Sequence, residues 1–132
     1  MSPLEIIDMP VSRQIEKVEK GFPGTILSKM VKYIDLPEII IIDGLKLPRR
    51  TMTERKKPGA RFSMMESERL LRVMRIHKAA QEVFASNMAI AGWLKEPDRA
   101  LGMKTPLEML ATDLGTAKVD NLIKAMVHGV PV

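Results

Sequence analysis

The sequence contains no cysteine, only two histidines and no apolar run long enough to cross a membrane. Without cysteine, a disulfide framework, a thiolate metal site and a cysteine nucleophile are all excluded. The histidines, His77 and His128, lie far apart and lack the close spacing typical of metal ligands. The chain begins with early acidic residues and lacks the basic and apolar segments of a signal peptide. We therefore expect a cytoplasmic protein that uses no metal or cofactor and does not associate with a membrane.

What is present is a globular composition with an uneven charge distribution. Hydrophobic residues make up 45% and charged residues 28% of the 132, and the net charge is +5. Residues 46–78 carry eleven basic and three acidic side chains, a net charge of +8, while the other 99 residues sum to −3. Such a segment indicates a polyanionic partner, nucleic acid before an anionic membrane surface. A solvated helical face remains the alternative.

The spacing of the apolar residues predicts an all-α fold with no strand. Helices are expected at residues 10–20, 25–34, 64–84, 87–95 and 115–128, with another that starts at Thr105-Pro106. The run of four isoleucines at 39–42 is ambiguous, because β-branched residues favour strands. Pro37 before this run and Asp43-Gly44 after it favour one short buried helix, which is the interpretation we prefer.

Residues 36–57 have the proportions of a helix-turn-helix: a short apolar helix, a turn that contains glycine, and a basic second helix at 47–57. Leu47 and Met52 are expected to face the core. Arginine can bond the O6 and N7 atoms of guanine in the major groove. The candidate DNA-binding residues are Lys46, Arg49, Arg50, Thr53, Lys56 and Lys57. A helical hairpin with a solvated basic face would show the same pattern.

No catalytic motif is visible in the sequence. It has no P-loop, no Gly-x-Gly-x-x-Gly turn and no nucleophile elbow, and neither histidine lies in a motif that would make it a catalytic base. We expect His77 to be a packed or half-exposed helix residue and His128 to lie in the last helical turn. The chain is therefore interpreted as a binding protein and not as an enzyme.

Several motifs of the second half occur in a characteristic order, at residues 66–72, 80–84, 91–94, 97–102, 105–115 and 123–130. In these motifs the chain resembles the Xre/ParS/MbcA-like antitoxin family of RES–Xre toxin–antitoxin systems. Residues 47–61 are similar to the Xre-like helix-turn-helix of that family. Trp93, within these motifs, is expected to anchor the core of the C-terminal domain.

The resemblance implies a type II antitoxin with two domains. Residues 1–62 would dimerise and bind operator DNA, and residues 63–132 would cover the active site of a RES-domain toxin that consumes NAD or transfers ADP-ribose from it. The expected partners are the toxin, operator DNA and a second copy of the chain. Candidate toxin-binding residues lie in the last helical turn and the apolar tail: Lys124, Val127, His128, Val130, Pro131 and Val132. The alternative is a stand-alone helix-turn-helix regulator with a C-terminal dimerisation or effector module.

Overall fold

The computed structural model describes residues 1–129, which form nine α-helices and one short 3₁₀ helix. The α-helices are α1 (Pro3–Ile7), α2 (Val11–Lys20), α3 (Ile26–Ile34), α4 (Glu38–Gly44), α5 (Arg50–Glu54), α6 (Met64–Ala80), α7 (Asn87–Lys95), α8 (Pro106–Met109) and α9 (Asp113–Val127). The 3₁₀ helix, Arg99–Leu101, lies between α7 and α8. Residues 1–129 contain two isolated β-bridges but no strand, so the prediction of an all-α fold is confirmed.

The longest helix, α6, lies at the centre of the fold, and α1, α2 and α9 pack against it. Nine of its residues are buried, and they lie on more than one side of the helix. A helix that buries several sides occupies a core position and is surrounded by its neighbours. The hydrophobic core extends from α6 into helices that precede and follow it in the chain.

The run of isoleucines forms α4, as predicted. Pro37 is the N-cap residue with a φ of −58°, a backbone angle that suits entry into a helix. Ile41 and Ile42 are fully buried, whereas Ile40 remains 36% exposed. The burial of one helical face thus outweighs the β propensity of the branched side chains.

Capping boxes form at the starts of α6 and α8. The Ser63 hydroxyl accepts the amide of Glu66 at 3.1 Å, and the Glu66 carboxylate accepts the amide of Ser63 at 2.7 Å. Thr105 and Glu108 make the equivalent pair of bonds at the start of α8, at 3.1 and 2.8 Å. These bonds satisfy amide groups that have no partner within the helix, so they fix where α6 and α8 begin.

Three helices differ in length from the predictions. The second helix of the helix-turn-helix pattern spans only Arg50–Glu54, about one and a half turns, where 47–57 was expected. The helix α6 ends at Ala80 and not at Phe84, because the chain turns there and Phe84 packs against Trp93. The last helix begins two residues earlier than expected, because Thr112 caps it.

The helix α1 was not predicted, although its start carries a recognisable signal. The Ser2 hydroxyl accepts the amide of Glu5 at 3.1 Å, and Pro3 occupies the first helical position. This is the usual combination of a capping serine with a proline in the first turn. Ile6 is fully buried and attaches α1 to the core.

Helices on the two sides of the expected domain boundary are in contact. α3 packs against α7, and α4 packs against α8. A Cβ atom on Gly44 would lie only 2.6 Å from a methyl carbon of Leu107, so α4 and α8 approach closely at this point. The division into domains at 1–62 and 63–132 stays a prediction.

Candidate functional site

The six candidate DNA-binding residues lie on α5 and the turns that flank it. All six are exposed, whereas Leu47 is buried and Met52 is half-buried, as the amphipathic pattern predicted. Lys46 has a φ of 58°, the left-handed conformation, and this residue reverses the chain after α4. The turn thereby presents α5 on the surface next to α4.

Carboxylates of α4 pair with two of these basic side chains. The guanidinium of Arg49 donates two hydrogen bonds to Asp43, at 3.2 and 2.9 Å. The Lys56 ammonium lies 2.9 Å from Glu38, in an ion pair whose geometry falls outside that of a hydrogen bond. The Arg49–Asp43 pair is exposed, and such pairs stabilise a protein by roughly 0–1 kcal/mol, so a phosphate group can compete for Arg49. Glu38 is less exposed, at 23%. Within residues 1–129 no carboxylate lies within 4.0 Å of the Arg50 guanidinium.

Arg55 belongs to the same basic segment but has a structural role. Its guanidinium donates three hydrogen bonds of 2.9–3.2 Å to the carboxylate of Glu66, whose side chain is only 8% exposed. Glu66 therefore closes the capping box of α6 and also pairs with Arg55, the C-cap residue of α5. This pair connects the basic helix to the central helix.

Three further arginines of the segment bind backbone carbonyl oxygens. Arg61 donates to Gly21 at 2.7 Å, and Arg69 donates to Leu45 at 2.9 Å, just after α4. Arg72 donates to the carbonyls of Leu110 and Ala111, just after α8, and forms an ion pair with Asp113. Cations at the C-terminal ends of helices satisfy free carbonyl groups and oppose the helix dipole. Part of the +8 charge thus stabilises the fold, which the composition alone did not reveal.

The candidate toxin-binding residues that the structure describes lie in the last turn of α9. Lys124 is exposed and pairs with Asp120 at 2.9 Å, Val127 is 44% exposed, and His128 is the exposed C-cap residue. Val130, Pro131 and Val132 lie outside the described residues. The last turn of α9 therefore presents an apolar side chain and two polar ones at the surface.

Trp93 occupies the position expected of a core anchor. Its ring packs against Phe84 with centroids 5.1 Å apart, and its indole N–H donates to Asp98 at 3.2 Å. These contacts connect the turn after α6 with α7 and the loop that follows α7. Trp93 is half-buried and packs on the hydrophobic core.

His77 is fully buried in the last turn of α6. Its ring packs against Tyr33 at a centroid distance of 5.1 Å, and neither ring nitrogen has a hydrogen-bond partner. Burial lowers the pKa of His77 below its usual value of 6.5, because the charged form would lose its hydration. A packed or a half-exposed position was expected for His77, and the structure places it in the packed core. The described part of the chain brings together no three His, Asp or Glu side chains that could hold a metal ion.

Sequence reasoning missed the large apolar residues that the second half presents to solvent. Leu114 is 86%, Met88 74% and Met103 61% exposed. Met103 also has a φ of 65°, a strained conformation for a bulky residue. Helical periodicity could not have found these positions, because they lie at the ends of helices or in a turn.

The fold and these surfaces define a small all-helical binding protein. Residues 79–129 match the family described as the antitoxin Xre/MbcA/ParS C-terminal toxin-binding domain. Along nearly its whole length the chain is similar to Antitoxin Xre of Yersinia enterocolitica, with 30% identity over 128 residues, 94% of this chain and 86% of the relative. It is 32% identical to Antitoxin Xre of Photorhabdus laumondii over 116 residues, 86% of this chain and 77% of the relative.

The similarity extends to a relative with a more specific name. The chain is 23% identical to the Prs ADP-ribosylating antitoxin of a Sphingobium species over 129 residues, 91% of this chain and 80% of the relative. Together these matches show that the chain belongs to the Xre/MbcA/ParS family of antitoxins. It is an antitoxin of a toxin–antitoxin system, it carries a toxin-binding domain, and it is not an enzyme. Among residues 1–129 no helix has the length and apolar character needed to span a membrane.

Proposed function

We propose that this antitoxin neutralises a RES-domain toxin by covering its active site, and that it represses its own operon as a DNA-bound homodimer in the cytoplasm. The observation that carries the proposal is the match of residues 79–129 to a toxin-binding domain. The name of the Sphingobium relative refers to ADP-ribosylation, which supports a toxin that uses NAD as its substrate. The match of residues 79–129 to a toxin-binding domain also favours an antitoxin over a stand-alone regulator.

The part of the domain that enters the toxin's active site is, in this proposal, the end of α9 with the residues after it. Val127 and His128 are exposed there, and Gly129 turns the chain with a φ of 68°. The segment that follows, residues 130–132, is apolar in sequence. Lys124 lies one turn earlier and supplies a positive charge that suits an acidic residue or a nucleotide phosphate.

The experiment is co-expression with the RES-domain toxin encoded by a neighbouring reading frame, with growth and cellular NAD as readouts. The intact antitoxin should restore both, and deletion of residues 129–132 should reduce the protection while the helical content stays unchanged. Lys118→Ala is the matched control, because Lys118 is an exposed lysine earlier on α9. Full protection by the truncated chain would exclude the active-site plug, and no protection by the intact chain would exclude this toxin class.

Operator binding by α5 is supported by the surface around it. Six exposed residues can reach bases or phosphates, and Arg50 needs to break no ion pair to do so. Arg49→Ala and Arg50→Ala should each weaken operator binding by about 1–3 kcal/mol if the residue reads a base. Lys95→Ala, a loss of the same charge on α7, is the control. Unchanged affinity of both arginine variants in an electrophoretic mobility shift would show that α5 does not enter the groove.

A further inference from the structure

A groove of about 380 Å³ lies between α2 and the first half of α6. Val11, Ile15 and Met64 line it, and they are 70%, 53% and 56% exposed. Val18 and Leu71 form its apolar floor. Large apolar side chains concentrated at one exposed groove are typical of a protein–protein contact.

The charges of the groove are separated along its length because α2 runs antiparallel to α6. The amide of Phe22, just after α2, donates to Ser67 near the start of α6. At the other end Val11, the first residue of α2, borders a surface that it shares with Arg75 and Lys78. On that adjoining surface Lys78 pairs with Asp8 and Glu82 is also present, so Arg75 is the basic residue of the groove itself. The residues that line the groove thus give it an acidic end, an apolar middle and one arginine at the other end.

This distribution is self-complementary under a two-fold axis. Glu19 and Glu68 line the acidic end, and Arg75 alone makes the other end basic. When a second copy is placed antiparallel across the groove, its basic end meets the acidic end of the first copy, and the apolar residues of both copies meet in the middle. In such an interface the same surface patch serves both subunits.

We propose that the groove between α2 and α6 is the contact between two copies of this chain, with Ile15 near the axis and Glu19 facing Arg75 of the second copy. The inference deepens the homodimer of the proposed function and rests on it. Every residue that lines the groove precedes residue 79, where the match to the toxin-binding domain begins. This location favours a second copy over the toxin as the occupant. A dimer also suits a helix-turn-helix protein that binds paired half-sites.

The first test is the mass of the full chain in solution, measured by sedimentation over a range of concentrations. Ile15→Glu places a charge at the centre of the contact and should raise the dimer dissociation constant by about tenfold or more. Leu114→Glu is the matched control, because it makes the same change at an exposed apolar residue outside the groove. Circular dichroism of both variants shows whether they keep their helical content. A monomeric wild type, or a dimer that Ile15→Glu leaves intact, would overturn the proposal.

Charge reversal tests the antiparallel geometry itself. Glu19→Arg alone and Arg75→Glu alone should each weaken the dimer. The two-fold axis creates two contacts between positions 19 and 75, and each variant places like charges opposite one another in both of them. An equimolar mixture of the two variants should recover a dimer, because both contacts of the mixed pair again join opposite charges. A mixture that remains monomeric while the wild type dimerises would overturn the predicted pairing. Loss of toxin capture by Ile15→Glu with an unchanged dimer would assign the groove to the toxin and also overturn the proposal.

Failure of this proposal is distinguishable from failure of the proposed function. Protection of cells against the toxin is measured with the intact chain and does not depend on which surface joins two copies. A protein that protects cells but shows no effect of Ile15→Glu on its mass would retain the antitoxin function and lose only this interface.

Discussion

The substitution of a buried carboxylate, Glu66→Ala, should strongly destabilise this antitoxin. The Glu66 carboxylate accepts three hydrogen bonds from Arg55 and one from the amide of Ser63. Its side chain is 8% exposed and that of Arg55 is 25% exposed, so the removal of the carboxylate leaves a partly buried cation whose remaining carboxylate neighbour, Glu54, lies 4.0 Å away. The helix α6 loses half of its capping box at the same time.

The magnitude follows from these two losses. Removal of one partner from a buried ion pair costs about 3–5 kcal/mol, and loss of a helix cap costs about 0.5–2 kcal/mol. Because Arg55 is a quarter exposed, water recovers part of the lost interaction, and we expect a total of about 3 kcal/mol. For a chain of this size that corresponds to a decrease in Tm of roughly 10 °C.

Urea unfolding followed by circular dichroism measures this effect, and Glu108→Ala is a matched control. Glu108 closes the equivalent capping box with Thr105, yet no arginine is paired with it among the described residues. The control should lower the free energy of unfolding by only about 1 kcal/mol. Equal losses for the two variants would refute the argument, because the ion pair with Arg55 would then contribute nothing beyond the cap.

Two further predictions concern the core. The pKa of His77 is lowered in the folded state, so as the pH falls below 6.5 the unfolded chain takes up a proton before the folded chain does, and the free energy of unfolding should decrease. His77→Phe should flatten this pH dependence, as measured by urea unfolding at several pH values. An unchanged pH dependence in the variant would contradict this role of His77. Gly115→Ala should destabilise the fold, because the added Cβ would lie 2.0 Å from the carbonyl oxygen of Met109. At Gly92 the added Cβ would have no neighbouring atom within 4 Å, so Gly92→Ala should stabilise α7 by about 0.5–1 kcal/mol. Equal shifts in Tm for the two glycine variants would contradict the close contact at Gly115.

The sequence predicted the parts of the fold that local physics determines. Pro37 and Gly44 identified α4 despite its isoleucines, and the capping residues Ser63 and Thr105 marked where α6 and α8 begin. These signals act over one or two helical turns, so they can be read without a structure. The length of α5 was overestimated, because basic residues with high helix propensity continue past the point where the chain turns towards Pro58.

The roles of the basic residues could not be predicted, because they depend on contacts between distant parts of the chain. Arg49 and Arg72 are equally basic in sequence, but the first is exposed beside Asp43 and the second binds carbonyls some forty residues away. The groove between α2 and α6 was missed for the same reason, since its residues come from helices about fifty residues apart. The DNA-binding and toxin-binding residues all remain predictions.

The proposed inhibition of a RES-domain toxin through the end of α9 can be measured on the activity of the toxin itself. NAD turnover by the purified toxin should be titrated with the intact antitoxin and with the chain that lacks residues 129–132. Inhibition by the intact chain should be stoichiometric, and inhibition by the truncated chain should be at least about tenfold weaker, a change of about 1.4 kcal/mol or more. NAD turnover that persists at saturating intact antitoxin, or that the two chains inhibit equally, would contradict this proposal.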